Sequence, residues 1–318
     1  MQKPDCSCSC DFPLTREVTI LGTKVQVKNY ICARDDGPYR KKPEKVRLQL
    51  SILPTGLCNA HCPFCIAAPA DDPRKLDPDR LKPVLERLRD EDVVRGVTVT
   101  GGEPCLDMPF LDCIIRMVFD VFGPGIQVTL DTNGTGLHRL RELRDLYRID
   151  AIHISRHHWD DEVNNRIFGR TMPTAEELRD AFMRIGCRDL FVLNCVLLKD
   201  AVSTPEDVHR YLDFAIGTGA GKAAFITAAS VNSWTAEHRV RFDDVLRDDD
   251  PQLLFTREYR DFSWCRCRDG VYVSPDGRII EFYGRLTEAG SCEYCRGFAY
   301  GPDNLLRAGF HGAIVGQA

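Results

Sequence analysis

Cys58-Asn59-Ala60-His61-Cys62-Pro63-Phe64-Cys65 stands shortly after a predicted strand, Val46–Leu53, and sets three thiols within eight residues. Soft thiolates select Fe–S clusters, Zn or Cu(I). A structural Zn site asks for four ligands. A [4Fe–4S] cube held by three thiolates keeps one iron open for a small molecule. The single-ion alternative would recruit His61, but His61 adjoins Cys62 and the two reach one metal only awkwardly. Further on, Val97-Thr98-Val99-Thr100 runs into Gly101-Gly102-Glu103-Pro104, where the paired glycines let the backbone pass a ligand without Cβ interference.

Outward from these two stretches, strands and helices alternate. Strands are predicted over Val46–Leu53, Gly96–Thr100, Ile126–Asp131, Ile149–Ser155, Leu190–Val196 and Ala223–Thr227. Helices are predicted over Pro78–Arg89, Pro109–Phe122, Leu137–Tyr147, Ala175–Ile185 and Pro205–Gly217. Asp77-Pro78 and Thr204-Pro205-Glu206 place a capping residue before a proline, a helix-start signal. Repeated βα units imply a parallel sheet with right-handed crossovers. The expected class is α/β: a partial (β/α)6 TIM-like barrel with the site at the strand C-termini. A small N-terminal hairpin over Arg16–Ile31 precedes it, and a cysteine-rich C-terminal hairpin over Gly270–Gly284, turning at Ser274-Pro275-Asp276-Gly277, follows. The expected divisions are 1–45, 46–227 and 228–318.

The cysteine motif followed by Gly-Gly-Glu resembles the radical S-adenosylmethionine (SAM) enzymes. That resemblance implies that Cys58, Cys62 and Cys65 hold a [4Fe–4S] cluster whose open iron binds SAM. It implies reductive cleavage of SAM to a 5′-deoxyadenosyl radical, which abstracts hydrogen from a substrate. Phe64 takes the place of the aromatic residue that shields the cluster, near the adenine. Gly101, Gly102 and Glu103 would meet the methionine part of SAM. Thr132-Asn133-Gly134 is similar to a segment common after the third strand of relatives. Thr132, Asn133, Ser155, Arg156 and Asn194 become candidate SAM contacts. Cys105 has two readings: a hydrogen donor to a substrate radical, as in radical epimerases, or a small buried side chain. His153, His157, His158 and Trp159 gather near the fourth strand end. His157 and His158 are read as surface residues, with Trp159 covering the rim. Arg156, Arg166 and Arg170 are candidates for a carboxylate or phosphate.

Cys265, Cys267, Cys292 and Cys295 form a second cluster that resembles the auxiliary-cluster regions called twitch or SPASM domains. It implies a second [4Fe–4S] cluster, with structural Zn as the alternative. The usual pattern puts a cysteine five residues after a glycine; here Gly277 is followed at that distance by Phe282. Cys6, Cys8 and Cys10 alternate with serine in a tail expected to be unstructured.

The 318 residues, 43% hydrophobic and 28% charged, suit a globular enzyme. Net charge of −5 argues against a nucleic-acid surface. No apolar run reaches the ~18 residues of a membrane span, and fifteen cysteines in a chain without a signal peptide fit a cytoplasmic setting. The residues before the first barrel strand are too few for a peptide-recognition domain. The expected substrate is therefore small (a sugar, nucleotide or nucleoside, in natural-product biosynthesis), with an external electron donor such as flavodoxin or ferredoxin. A peptide maturase with a separate recognition partner is the alternative. From another class, a non-catalytic protein with two Zn sites fits the cysteine count.

Overall fold

A computed structural model of the chain describes residues 15–28, 47–67, 71–229, 231–247, 249–258, 270–284, 297–310 and 312–317. β1 (Thr15–Ile20) and β2 (Thr23–Lys28) form the N-terminal hairpin. Its turn, Leu21-Gly22, has positive φ at both residues, the geometry that matches the right-handed twist of two-residue hairpins. The main body then runs β3 (Leu48–Ile52), β4 (Thr55–Leu57), β5 (Asp71–Lys75), α1 (Pro78–Asp90), β6 (Val94–Val99), α2 (Met108–Phe122), β7 (Gln127–Thr132), β8 (Ala151–Ser155), α3 (Asp161–Phe168), α4 (Ala175–Ile185), β9 (Phe191–Leu197), α5 (Pro205–Thr218) and β10 (Lys222–Thr227). After it come α6 (Ser233–His238), α7 (Phe242–Val245), β11 (Leu254–Glu258), β12 (Gly270–Val273), β13 (Ile279–Gly284), β14 (Gly297–Tyr300), β15 (Leu305–Ala308) and β16 (Ile314–Gln317).

The expected helix starts are present. Asp77 caps α1 with Pro78 behind it, and Thr174 and Thr204 each close a capping box onto α4 and α5. The predicted helix over Leu137–Tyr147 is instead two 3₁₀ turns, Leu137–Glu142 and Leu146–Arg148. Leu137, Leu140, Leu143 and Leu146 are all buried. A period of three lines them up on a helix of three residues per turn, but spreads them around an α-helix. α3 was not predicted; Asp160 caps its start and Gly169, in the left-handed region, ends it.

One sheet organises the chain, in the order β11-β12-β13-β10-β9-β8-β7-β6-β3-β14-β15-β16. The strands from β13 through β14 run parallel, and those beyond them pair antiparallel. Among the described residues the two ends do not pair, so the sheet is an open, partial barrel. It crosses the division expected at residue 227. β12–β13 is the predicted hairpin, and β13 joins the free edge of β10, while β14 joins the other edge at β3. Both additions cover backbone groups that a bare edge would leave unpaired. Phe282, five residues after Gly277, is fully buried there, stacked on Phe225 at 4.9 Å and edge-on to Tyr272 and Phe242.

Parity divides the parallel strands. Leu50, Ile52, Val97, Val99, Val128, Leu130, Ile152, Ile154, Leu193 and Phe225 belong to the apolar core packed with the helices. Between them on the other, inner face lie Gln49, Ser51, Thr98, Thr129, Asp131, His153, Ser155, Asn194 and Ala224, since strand side chains alternate. On β3, β6, β7 and β8 these are mostly small and polar, unlike the branched aliphatic layers that fill a closed barrel, whereas on β9 and β10 the same face also carries buried Val192, Val196 and Ile226, the last two packed with Phe64.

Candidate active site

The cysteine loop leaves the sheet at the C-terminal end of β3. β4 and β5 pair antiparallel at its base. Gly102 N–H donates to the Thr55 carbonyl at 3.0 Å and Glu103 N–H to that of Leu57 at 2.8 Å, seaming the Gly-Gly-Glu turn to the strand entering Cys58. A Cβ on Gly102 would lie 2.0 Å from the Leu57 oxygen, and Gly101 sits at φ +117. Both glycines are therefore required by the backbone itself.

Glu103 is 1% exposed. Its carboxylate accepts Thr132 Oγ1–H at 2.7 Å, Cys105 N–H at 3.0 Å and Asn133 N–H at 2.6 Å. Three of about four acceptor positions are thus used within the protein. Burial pushes its pKa upward, and these donors oppose that rise. Glu103 ties the ends of β6 and β7 together, and Thr132 and Asn133 join the site through it.

Asn133 also reaches the cysteine loop: Nδ2 donates to Asn59 Oδ1 at 2.7 Å and lies 4.0 Å from Cys58 Sγ. Ala60 N–H points at the same sulfur at 3.4 Å. Arg170 donates to the Asn59 carbonyl at 2.7 Å, and His61 N–H to the Phe168 carbonyl at 2.9 Å, fastening the loop to the end of α3. Cys58, Cys62 and Cys65 are free and partly buried. Burial is the main cause of the raised pKa of Cys58 and Cys62, and the charges of neighbouring thiolates add to it. Such a thiol trio favours a positive centre that would neutralise it. Among the described residues no three His, Cys, Asp or Glu side chains converge on one ion. A cube with an iron at each corner does not need them to, and the soft donor set fits it.

Phe64 is buried beneath the loop, edge-on to His157 at 5.0 Å and 6.3 Å from Trp234. His157 and His158 are not surface residues: they are 3% and 8% exposed. His157 stacks on Phe168 at 4.8 Å, and its Nδ1 accepts Val196 N–H, which leaves the neutral ring with its proton on Nε2. Asn232, just before α6, donates to the Pro63 carbonyl at 2.8 Å. Sequence reasoning missed Asn59, Thr135, Phe168, Asn232 and Trp234 as supports of the loop. The extended capping pattern Asn232-Ser233-Trp234-Thr235 was the legible sign of α6, but nothing local tied it to Pro63.

Arg156 is 2% exposed. Its guanidinium serves the carbonyls of His158, Pro173 and Trp159 and pairs with Asp161. It fixes the loop after β8, and its side chain is not placed to meet a cofactor. Ser155 and Asn194 are register partners on the inner face. The Asn194 Oδ1 is buried without a hydrogen-bond partner, an acceptor that a polar ligand would satisfy. Cys105 is 3% exposed within the helix-side core, where burial pushes its pKa well up. That position favours the buried-side-chain reading over hydrogen donation. His153 faces inward with its Nδ1 3.2 Å from Asp131 Oδ1. Cys265, Cys267, Cys292 and Cys295, like Cys6, Cys8 and Cys10, lie outside the described residues. No helix among the described residues is long and apolar enough to cross a membrane.

Residues 52–215, a little over half of the chain, match the family model described as the Radical SAM superfamily. The chain therefore belongs to that superfamily. It is an enzyme of this class, and a [4Fe–4S] cluster and SAM are its cofactors. Over 174 residues it is 32% identical to a probable GTP 3′,8-cyclase of Sulfurisphaera tokodaii, covering 54% of this chain and 52% of that protein. The chain thus spans about half the length of the curated relative it matches. In fold it is similar to Streptococcus suis SuiB bound to S-adenosylmethionine, with a TM-score of 0.54 at 15% identity over 85% of this chain and 63% of SuiB. SuiB bound to precursor peptide SuiA matches with a TM-score of 0.54 at 16% identity, over 83% and 59%.

Proposed function

We propose that the enzyme cleaves SAM reductively and takes a hydrogen atom from a small, hydroxyl-bearing substrate, such as a sugar, nucleotide or nucleoside, held on the inner face of the sheet. The observation that carries this reading is the lining of that face, small and polar from Ser51 and Thr98 through Thr129 and His153 to Ser155, at the end of the sheet where the cysteine loop sits. When bound, the cluster supplies one electron and SAM the 5′-deoxyadenosyl radical. Cys58, Cys62 and Cys65 would hold the cluster, with Phe64 closing its apolar side. The backbone at Gly101-Gly102, with Ser155 and Asn194, would hold SAM. His153, beside Asp131, is placed to accept a hydrogen bond from, or donate one to, a substrate hydroxyl. Flavodoxin or ferredoxin would deliver the electron, and the C-terminal cysteines would carry a second [4Fe–4S] cluster.

Anaerobic reconstitution followed by iron and sulfide analysis tests the first part. About eight irons per chain would support two clusters and about four would leave one. Dithionite and SAM should then give 5′-deoxyadenosine. GTP, prompted by the named relative, is the first substrate to try, followed by deuterated sugars and nucleosides; label arriving in 5′-deoxyadenosine identifies the abstracted hydrogen. Turnover of a small molecule with no leader peptide or partner protein would exclude a peptide maturase. Zinc bound with no iron, even after reconstitution, would overturn the radical reading in favour of a non-catalytic metal protein.

A further inference from the structure

Asn133, Thr135 and Asn59 form a closed ring of hydrogen bonds beside Cys58. Thr135 Oγ1–H donates to Asn133 Oδ1 at 2.8 Å. Asn59 Nδ2 donates to Thr135 Oγ1 at 3.0 Å, and Asn133 Nδ2 donates to Asn59 Oδ1 at 2.7 Å. Each side chain gives one bond and takes one, so the ring has a single direction. An amide can usually be flipped, but this one cannot. The backbone N–H of Thr135 also points at Asn133 Oδ1, at 3.0 Å, and an N–H demands the oxygen there. The Asn133 nitrogen is therefore turned towards the cysteine loop. One of its two N–H groups is spent on Asn59. The other lies towards Cys58 Sγ at 4.0 Å, the outer reach of an N–H···S contact.

The ring is anchored on both sides. Asn133 N–H is held by Glu103 at 2.6 Å, and the Asn59 carbonyl by Arg170 at 2.7 Å. With Asn133 7% exposed, its amide faces the sulfur with little water to compete. The geometry points to Asn133 as a positioning residue that aims an N–H at Cys58 and thereby raises the reduction potential of the cluster this thiolate carries. The physical reason is charge. Reduction adds an electron whose density spreads onto the sulfurs, and a fixed N–H donor stabilises the reduced form more than the oxidised one. Thr135 acts one step further out: its backbone N–H fixes which way the amide faces, and its hydroxyl closes the ring. The inference rests on the reading of Cys58 as a cluster ligand and differs from a SAM-contacting role for the Asn133 side chain.

The test compares wild type, Asn133→Leu, Asn133→Asp and Thr135→Val after anaerobic reconstitution. Iron and sulfide are measured first, then the midpoint potential by redox titration followed by visible absorbance and electron paramagnetic resonance, with neither SAM nor substrate present. The expected result is unchanged iron per folded chain and a more negative midpoint in Asn133→Leu. Asn133→Asp should shift further, because it adds charge, and Thr135→Val much less, because the backbone N–H at 135 still holds Asn133 Oδ1 and only the ring bonds through Oγ1 are lost. Wild-type iron uptake with an unmoved midpoint in Asn133→Leu would overturn the inference alone. Should Asn133→Leu fail to fold, Asn133→Ala, which also removes the amide donor, decides by the same criterion. Wild-type protein that takes up no iron would overturn the cluster reading, and this one with it.

Discussion

Along β8, Ile152 and Ile154 are 0% and 1% exposed against the helices, while His153 and Ser155 stay half-buried on the inner side. β7 repeats the contrast, with Val128 and Leu130 outward and Thr129 and Asp131 inward. Alternate residues of the same strands thus serve two purposes. The outer face buries apolar area and supplies the driving force for folding. On these strands the inner face gives up that gain and keeps small polar groups where a ligand can meet them. Because the strand period is two, a one-residue slip would exchange the faces completely. Stability and chemistry are thus separated by parity within these strands, so they should respond to different substitutions.

The sharpest test of that separation lies at the site. Cys58→Ala should reduce 5′-deoxyadenosine formation to background and lower iron content, with the circular-dichroism melting curve of the metal-free protein little changed. Gly102→Ala should also lose iron, because the new Cβ drives into the Leu57 carbonyl and displaces the strand that enters Cys58; anaerobic iron analysis reads this directly. On the outer face Leu130→Ala should cost about 2–5 kcal/mol in urea unfolding, while iron per folded chain holds. If activity per folded chain collapsed as well, the two faces would not be independent. Phe282→Cys restores a thiol five residues after Gly277, yet the position is core. It should cost about 2–4 kcal/mol and add no iron, and an added iron signal would refute the core assignment. The mildest change is Asn194→Ala on the inner face. SAM affinity should fall about tenfold, roughly 1.4 kcal/mol, by equilibrium binding to the reconstituted protein, with a smaller loss of stability because the deleted Oδ1 has no partner in the fold.

Much of the barrel was legible because its signals are local. Capping residues, N1 prolines and runs of β-branched residues act over a few positions, and the expected strands differ from β3, β6, β7, β8, β9 and β10 only at their ends. Leu137 to Leu146 misled because a spacing of three satisfies a loose helical reading and only packing shows that the turns are 3₁₀. Arg156 misled because position after a strand end does not reveal direction: its guanidinium turns into the protein and holds the β8 loop. His157 looked like surface because polarity is a poor guide where one ring nitrogen can satisfy a backbone N–H and the ring faces can stack.

The alternation of strands and helices, the thiol trio and the glycine pair follow from residue type and short spacing alone. What meets across distance is a matter of the folded chain. Folding carried β13 and β14 from the C-terminal region to opposite edges of the sheet, because unpaired edges accept any strand of suitable register. It also closed Asn59, Asn133 and Thr135 into one ring beside Cys58, an arrangement made by the approach of the cysteine loop to the end of β7 and invisible in either stretch alone.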